Sequence, residues 1–210
     1  MKKFSDYDSV EVKDFGTYER LKLGGHIIKI LEANVVTTTA KDGTVFEQLN
    51  LKYDITEPDE QAGFYQRRFV EKAQKDAIAA KWSGMTRISI PEDKSEDFIK
   101  ENFKRFITSV EKSNPGYVWN WEEATLSGKI VGCTFGLEEF IASDGRILTA
   151  TKPRFFRSTE GVFESPIPKV KLIDKTTMDY EEYIKKDENN KKSMASELEK
   201  SALESDDLPF

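Results

Sequence analysis

The sequence predicts a mainly β domain with one α-helix, folded as a small five-stranded barrel and followed by a polar tail. Three observations lead to this prediction. Two stretches alternate apolar and polar residues around Asp-Gly turns, one stretch repeats apolar residues at helical spacing, and apolar residues become rare after Thr176. We therefore divide the 210 residues into an N-terminal arm at 1–22, a folded domain at 23–174 and a flexible acidic tail at 175–210.

The first predicted hairpin surrounds the turn signal Lys41-Asp42-Gly43, because Asp and Gly tolerate the backbone angles of tight turns. Residues 26–39 are rich in Ile, Val and Thr and carry apolar residues on both faces, as expected of a central strand. The returning strand alternates in polarity. We expect its inward face to hold Val45, Leu49, Leu51, Tyr53 and Ile55.

The stretch after the predicted loop at 56–63 fits two structures. Residues 64–69 fit a third strand, whereas 70–81 are rich in Ala and Lys and fit a helix. A short strand is then expected from Met85 to Ile90, where Pro91 ends it.

The clearest helix is predicted over 95–110. Its apolar stripe at helical spacing consists of Ile99, Phe103, Phe106, Ile107 and Val110. Asp93 with Glu96 matches a capping box, and Asn114-Pro115-Gly116 is typical of a helix end.

A second long hairpin is predicted beyond the helix. Its first strand, 126–140, holds Gly128, Gly132 and Gly136, and glycines inside a strand indicate strong curvature or close backbone approach. The turn at 143–145 leads into the last strand, 146–157. The order of hairpin, strand, helix and hairpin is the connectivity of the OB-fold, although other β-barrels remain alternatives.

Charge is distributed unevenly along the chain. The net charge is −6, but residues 175–210 alone hold 6 basic and 10 acidic side chains, so the remainder is nearly neutral. Residues 62–87 hold 6 basic and 2 acidic side chains, and residues 146–157 hold 4 basic side chains and no acidic one. Two basic islands of this kind can build a groove for phosphates in an acidic protein.

Composition argues against several other classes of protein. No run approaches the roughly 18 consecutive apolar residues of a membrane span, and the first residues lack the apolar core of a signal peptide. We therefore expect a cytoplasmic protein without a membrane. Cys133 is the only cysteine and His26 the only histidine, so we expect no disulfide, no metal site and no cofactor. His26 lies in a predicted strand, where a structural role is expected.

No catalytic residue is predicted. The Gly24-Gly25 pair lacks the lysine of a phosphate loop, and no Ser or Cys lies in a nucleophile motif. The acidic pairs Glu122-Glu123 and Glu138-Glu139 resemble Mg²⁺ ligands of a nuclease, but adjacent carboxylates on a strand point to opposite faces. We expect a protein that is not an enzyme, with a metal-dependent nuclease as the weaker alternative.

Aromatic and basic residues are interleaved at several places in the domain. Single-stranded nucleic acid is bound by a cationic groove for the backbone and by aromatic faces for the bases. For any single aromatic residue the core is the better explanation, but the groups together favour nucleic acid. Trp119 and Trp121 lie on either side of Asn120, and we expect one of the two rings to be buried and the other exposed. The candidate binding residues are Phe64, Tyr65, Arg67, Arg68, Lys72, Trp82, Arg87, Trp119, Lys152, Arg154, Phe156 and Arg157.

The last six residues, Ser205-Asp206-Asp207-Leu208-Pro209-Phe210, resemble the acidic tip of bacterial and phage single-stranded DNA-binding proteins. In that family, carboxylates followed by a hydrophobic residue, Pro and Phe at the C-terminus recruit replication and repair enzymes. Pro209 restricts the tip and Phe210 offers an aromatic anchor, which suits a docking segment.

This resemblance implies an OB-fold protein that coats single-stranded DNA in phage or mobile-element replication and recombination. It also implies that Asp206, Asp207, Leu208, Pro209 and Phe210 dock partner enzymes. The alternative from another class is a replication adaptor that binds proteins without touching DNA. A homo-oligomer is compatible with either function.

Overall fold

A computed structural model of the chain describes residues 19–40, 43–142 and 146–174. Within these residues it contains a five-stranded antiparallel sheet and two α-helices, which confirms the predicted mainly β class. The strands are β1 (Gly24–Thr39), β2 (Val45–Ile55), β3 (Met85–Ser89), β4 (Ile130–Ile141) and β5 (Ile147–Arg157). The helices are α1 (Phe64–Lys75) and α2 (Asp97–Ser113), and a short 3₁₀-helix (Glu123–Leu126) precedes β4.

The strands lie side by side in the order β3-β2-β1-β4-β5. The central strand β1 pairs with β4 through residues 24–29 and with β2 through residues 28–39, and its register shifts between Ile30 and Glu32. The chain forms α2 between β3 and β4, as predicted. The sheet curves around one hydrophobic core, to which every strand except β5 contributes buried residues.

The two edge strands of the sheet do not close it into a barrel. β3 and β5 lie at opposite ends of the strand order, and the described residues show no ladder between them. The expected closed barrel is therefore replaced by an open sheet, with α2 in contact with both edge strands. Pro153 lies within β5. A residue without a backbone N–H is tolerated in an edge strand, because one side of such a strand has no neighbouring strand to which an N–H must donate.

α2 matches the predicted helix closely, apart from its first turn. Phe103, Phe106, Ile107 and Val110 are buried and Ile99 is half-buried, so the predicted apolar stripe is confirmed. The predicted capping box is wrong, because Glu96 occupies the N-cap position and makes no side-chain capping bond.

Asn114 ends α2 and ties it to the sheet. Its Nδ2 donates to the carbonyl oxygens of Val110 and Ile130, each at 2.7 Å, and its Oδ1 accepts from the Ile130 amide at 3.1 Å. The predicted helix end is therefore also a junction between α2 and β4.

The presence of α1 shows that two expectations are wrong. The domain has more than one helix, and residues 64–69 are helical and do not form a strand. Its backbone amides at Tyr65 and Gln66 donate to the carboxylate of Asp54, at 2.8 and 3.1 Å. Asp54 thus performs the capping role that the N-cap residue, Gly63, cannot perform. The local sequence does not indicate where this helix begins, because its capping carboxylate lies in β2, eleven residues before Tyr65.

The inward face of β2 is as predicted at four of its five positions. Leu49, Leu51, Tyr53 and Ile55 are buried, whereas Val45 is 59% exposed. The prediction fails at Val45 because the outer end of the β1–β2 hairpin extends beyond the core. The predicted close backbone approach at Gly132 is confirmed, since a Cβ there would lie 2.5 Å from the Ser158 carbonyl oxygen.

His26 has the structural role that was expected. The buried ring donates from Nε2 to the Lys22 carbonyl oxygen at 2.9 Å, and its Nδ1 lies 2.9 Å from Asp59 Oδ2. The backbone amides of Gln61 and Ile27 also donate to Asp59, at 2.9 and 3.3 Å. His26 and Asp59 therefore fasten the loop after β2 to the start of β1.

The end of the predicted arm contacts the folded domain. Leu21 is buried, and the side chain of Gln61 bonds the backbone on both sides of it, at Arg20 and Lys22. In the described ranges no helix has the length and apolar character needed to cross a membrane.

Candidate nucleic-acid interface

The open edge between β3 and β5 holds a groove. One part of it, over α2, is a cavity of about 290 Å³ between residues 86–89 of β3, residues 153–156 of β5 and one side of α2. We call this cavity the α2 part. The second part, of about 790 Å³, is bordered by Ser83, Met85, α1 and residues 148–152 of β5, and we call it the α1 part.

The two parts share no lining residue but lie next to each other, because they follow consecutive residues of both edge strands. Lower residue numbers of β3 and β5 border the α1 part, and higher numbers of both strands border the α2 part. We call the whole feature the edge groove. Nine residues of β5 border it, a length of about 30 Å in an extended strand.

The α2 part is positively charged. Arg87 from β3, Arg105 from α2 and Arg154 from β5 line it, and no carboxylate of the described residues does. The three guanidinium groups come from three different elements, so the fold brings them together around one cavity. A cleft lined by charges of one sign raises the local concentration of counter-ions, here anions.

The α1 part adds three more cations. Arg20, Arg68 and Lys152 line it together with one carboxylate, Glu19. Glu19 pairs with Arg67 at 2.9 Å, and the hydrogen bond from Arg67 lowers the pKa of Glu19 despite some burial. This carboxylate stays ionised at neutral pH, but the neighbouring guanidinium balances its charge.

Two phenylalanine rings are exposed in the α2 part. Phe98 on α2 is 57% exposed and Phe155 on β5 is 49% exposed. The guanidinium of Arg154 lies over the Phe155 ring, 5.9 Å from its centroid. Exposed rings beside arginines are the combination that binds stacked bases next to phosphates.

Of the twelve binding residues predicted from the sequence, four are cations that line the edge groove. Arg87 and Arg154 lie in the α2 part, and Arg68 and Lys152 in the α1 part. Lys152 and Arg87 are exposed and form no ion pair within the described residues, so their charges are available to a ligand.

Other predicted aromatic residues belong to the core. Phe64 and Tyr65 are buried, with Tyr65 edge-on to Tyr53 at 5.3 Å, and burial raises the pKa of Tyr65 to about 12. Phe156 lies edge-on to Phe106 at 4.9 Å. These rings border the groove but pack inward, whereas Phe98 and Phe155 are exposed in it.

Trp82 is held in place rather than open to solvent. Its Nε1 donates to the carbonyl oxygens of Tyr53 and Gly84, at 3.1 and 3.2 Å. The ammonium of Lys52 lies 5.2 Å from the ring centroid, and the Phe69 ring lies 5.8 Å away. These contacts explain its position without a ligand.

The remaining predicted cations lie outside the edge groove. Arg67 is engaged with Glu19, and Lys72 lies in the last turn of α1. Arg157 donates to Ser165 Oγ at 2.6 Å, at the end of β5.

One tryptophan is packed and its neighbour is exposed, as predicted. Trp119 packs against the core, whereas Trp121 is 76% exposed and stacks on Phe103 at 6.4 Å. Trp121 has a φ of 66°, an uncommon conformation for a residue with a bulky side chain. Neither tryptophan lines the edge groove.

The acidic pair at the end of β4 is already engaged. Glu138 pairs with Lys171 at 2.6 Å, and Glu139 accepts from the Ile173 amide at 3.1 Å. Among the residues that the structure describes, no group of three or more His, Cys, Asp or Glu side chains could hold a metal ion. The predicted docking residues at 206–210 lie outside the described residues.

Sequence reasoning missed Phe98, Arg105 and Phe155 as site residues. Phe98 and Arg105 flank the buried stripe of α2, and only the position of β5 shows that this flank faces a groove. For Phe155 a signal was present, because side chains alternate along a strand and its neighbour Phe156 points to the core.

Comparison of the chain with models of known protein families and with curated proteins found no match. The function of the edge groove is therefore inferred from its own residues.

Proposed function

We propose that the chain is a sequence-independent single-stranded DNA-binding protein whose ligand lies in the edge groove. The observation that supports this most directly is the α2 part, where three arginines and two exposed phenylalanines surround one cavity that no carboxylate of the described residues lines. Arginines can neutralise phosphates, and the rings can stack on bases of any sequence. Duplex DNA keeps its bases paired and would not use the rings.

We further assign the fold to an open form of the OB-fold. The support is the strand order β3-β2-β1-β4-β5 with α2 between β3 and β4, which is the connectivity expected for that fold. In a closed barrel β3 would meet β5. In this chain the edge groove occupies that position, so the departure from closure and the candidate binding site coincide.

The proposal extends to the cellular role implied by the tail resemblance. The protein would coat single strands in the cytoplasm during DNA replication or recombination of a phage or mobile element. Residues 206–210 would recruit partner enzymes, while the domain itself performs no catalysis and needs no cofactor.

The experiment is a titration of fluorescently labelled oligo-dT, followed by anisotropy, with a duplex of equal length as comparison. The double variant Arg87→Ala/Lys152→Ala removes one exposed cation from each part of the groove. We expect weaker binding and a slope of log affinity against log salt that is smaller by about 1.4, since each single-strand phosphate contact contributes about 0.7.

The matched control is Lys29→Ala/Lys169→Ala, which removes two exposed lysines that do not line the groove. Equal loss in both double variants would show a general charge effect and reject the groove. Equal affinity of the wild type for single strands and duplex would reject single-strand specificity.

A protein-binding adaptor remains a second candidate because of one surface feature. Val118 and Trp121 are each 76% exposed and lie close in sequence to Glu122, whose charge disfavours phosphates. Such a patch suits a protein partner. The same titration separates the two functions, since an adaptor would not bind oligo-dT.

A further inference from the structure

A second cationic hollow lies on the outer face of α2, next to the α2 part of the edge groove. Its volume is about 510 Å³, and it is bounded by one side of α2 and by the C-terminal end of β5. Arg105 and Phe156 border both this hollow and the edge groove, so the two surfaces are continuous. We call it the outer hollow.

The outer hollow is strongly basic. Lys104, Arg105, Lys112 and Arg157 line it, and among the described residues Glu101 is the one carboxylate that does so. Both lysines are exposed and form no ion pair with any other described residue, so their ammonium groups are available to an anion.

The spacing of these cations suits an extended polyanion. Lys104, Thr108 and Lys112 follow one another at intervals of four residues, so they form one stripe along α2. Eight residues of helix separate the two lysines, a rise of about 12 Å. The Thr108 hydroxyl lies between them and can also donate to a phosphate oxygen.

The outer hollow differs from the edge groove in one important respect. In the part of the chain that the structure describes, its only aromatic lining residue is Phe156, whose ring packs on Phe106 in the core. It therefore offers charge without a free stacking surface. It can hold a phosphate backbone but cannot stack bases.

We propose that a long single strand leaves the edge groove past Arg105 and continues across the outer hollow, where its phosphates contact Lys104 and Lys112. The inference rests on the proposed function and adds a second segment to that site. A short strand occupies only the edge groove, because stacking on Phe98 and Phe155 favours that part. The binding site thus has a stacking segment and an electrostatic segment.

The test compares Lys104→Ala/Lys112→Ala with wild type on two labelled oligonucleotides, dT5 and dT15, which bracket the usual site sizes of about 4 to 16 nucleotides. The two exposed lysines lie outside the core, so the fold is retained. We expect a several-fold weaker affinity for dT15 and a salt slope smaller by about 1.4. Binding of dT5 should be unchanged.

Lys29→Ala/Lys169→Ala is the matched control, with the same change of net charge at residues that do not line the outer hollow. Unchanged dT15 binding, equal losses on dT5 and dT15, or an equal loss in the control would each overturn the inference while the proposed function stands. If the wild type bound neither oligonucleotide, the proposed function would fail as well.

Discussion

Phe155 and Phe156 show how two identical neighbours in one strand acquire different roles. Phe155 is half-exposed in the edge groove, whereas Phe156 lies edge-on to Phe106 at the border of the core. The alternation of side chains in β5 separates them. One ring is therefore available to a ligand, and the other stabilises the contact between β5 and α2.

We expect Phe155→Ala to weaken single-strand binding by about 1–3 kcal/mol, the usual contribution of one stacked base. Its melting temperature should stay near that of the wild type. Phe156→Ala should show the opposite pattern, with a loss of unfolding free energy of roughly 2 kcal/mol, below the range for a fully buried phenylalanine. Anisotropy titrations and urea unfolding of both variants measure this difference, and a stability loss in Phe155→Ala would place that ring in the core.

Asp59 makes the stability of the folded domain depend on pH. Burial raises the pKa of Asp59, but hydrogen bonds from His26 and from the amides of Gln61 and Ile27 more than offset this, so its pKa is lowered. A carboxyl whose folded-state pKa lies below its unfolded value binds more protons when unfolded. Its contribution to stability is complete above the unfolded pKa of about 3.9 and is lost as pH falls through the folded value.

We expect Asp59→Asn to be less stable than the wild type at pH 7 and to lose less further stability below pH 4. Urea unfolding at several pH values from 7 to 3 would measure both changes. Glu164→Gln is the control, since it makes a matching acid-to-amide change at an exposed carboxylate. Parallel profiles for Asp59→Asn and the wild type would contradict the role of Asp59.

At the scale of the elements, α1 and α2 show which features a sequence can predict. α2 carries its apolar stripe within one continuous segment, so its periodicity predicted it. α1 begins after a glycine and is capped by Asp54 from β2, a contact that exists only after the chain has folded. The same distinction applies to the candidate site. Clusters of charge in the sequence indicated Arg68, Arg87 and Lys152 as candidate binding residues, and the structure places all three in the edge groove.

Phe98 and Arg105 could not be identified in the same way. Their place in the edge groove depends on how α2 lies between β3 and β5, which is a tertiary arrangement. Closure of the barrel was also inferred from element order alone. That order specifies which strands are neighbours within the sheet but does not specify whether its two edges meet.

We expect Asp54→Ala to destabilise the domain by about 1–2 kcal/mol, as for the loss of other helix caps. Asp54→Asn should recover part of this loss, because its amide oxygen still accepts a hydrogen bond. Urea unfolding followed by circular dichroism would measure both values. Equal stability of Asp54→Ala and the wild type would show that α1 needs no cap from β2.

At the scale of the whole molecule, the described core is contained in one continuous part of the chain. Its buried apolar residues run from Leu21 to Val162. Residues 175–210 lie outside the residues that the structure describes. Their interpretation as an appended tail therefore stays a prediction.

We expect removal of residues 175–210 to shift the melting temperature by less than about 2 °C, equivalent to a stability change below about 1 kcal/mol. Calorimetry of the full and shortened chains would measure this. The shortened chain should also bind oligo-dT at least as tightly, because it lacks a segment with more acidic than basic residues. A marked fall in the melting temperature would show that the tail contributes to the fold.

Within the described residues the outer edges of β3 and β5 are unpaired, which has a consequence for the behaviour of the protein in solution. A free strand edge presents N–H and C=O groups that can pair with another chain, and aggregation follows unless charge or proline prevents it. Arg87 lies on one edge, while Lys152, Pro153 and Arg154 lie on the other. We therefore expect the cations that we propose to bind phosphates also to hinder edge-to-edge pairing between copies of the chain.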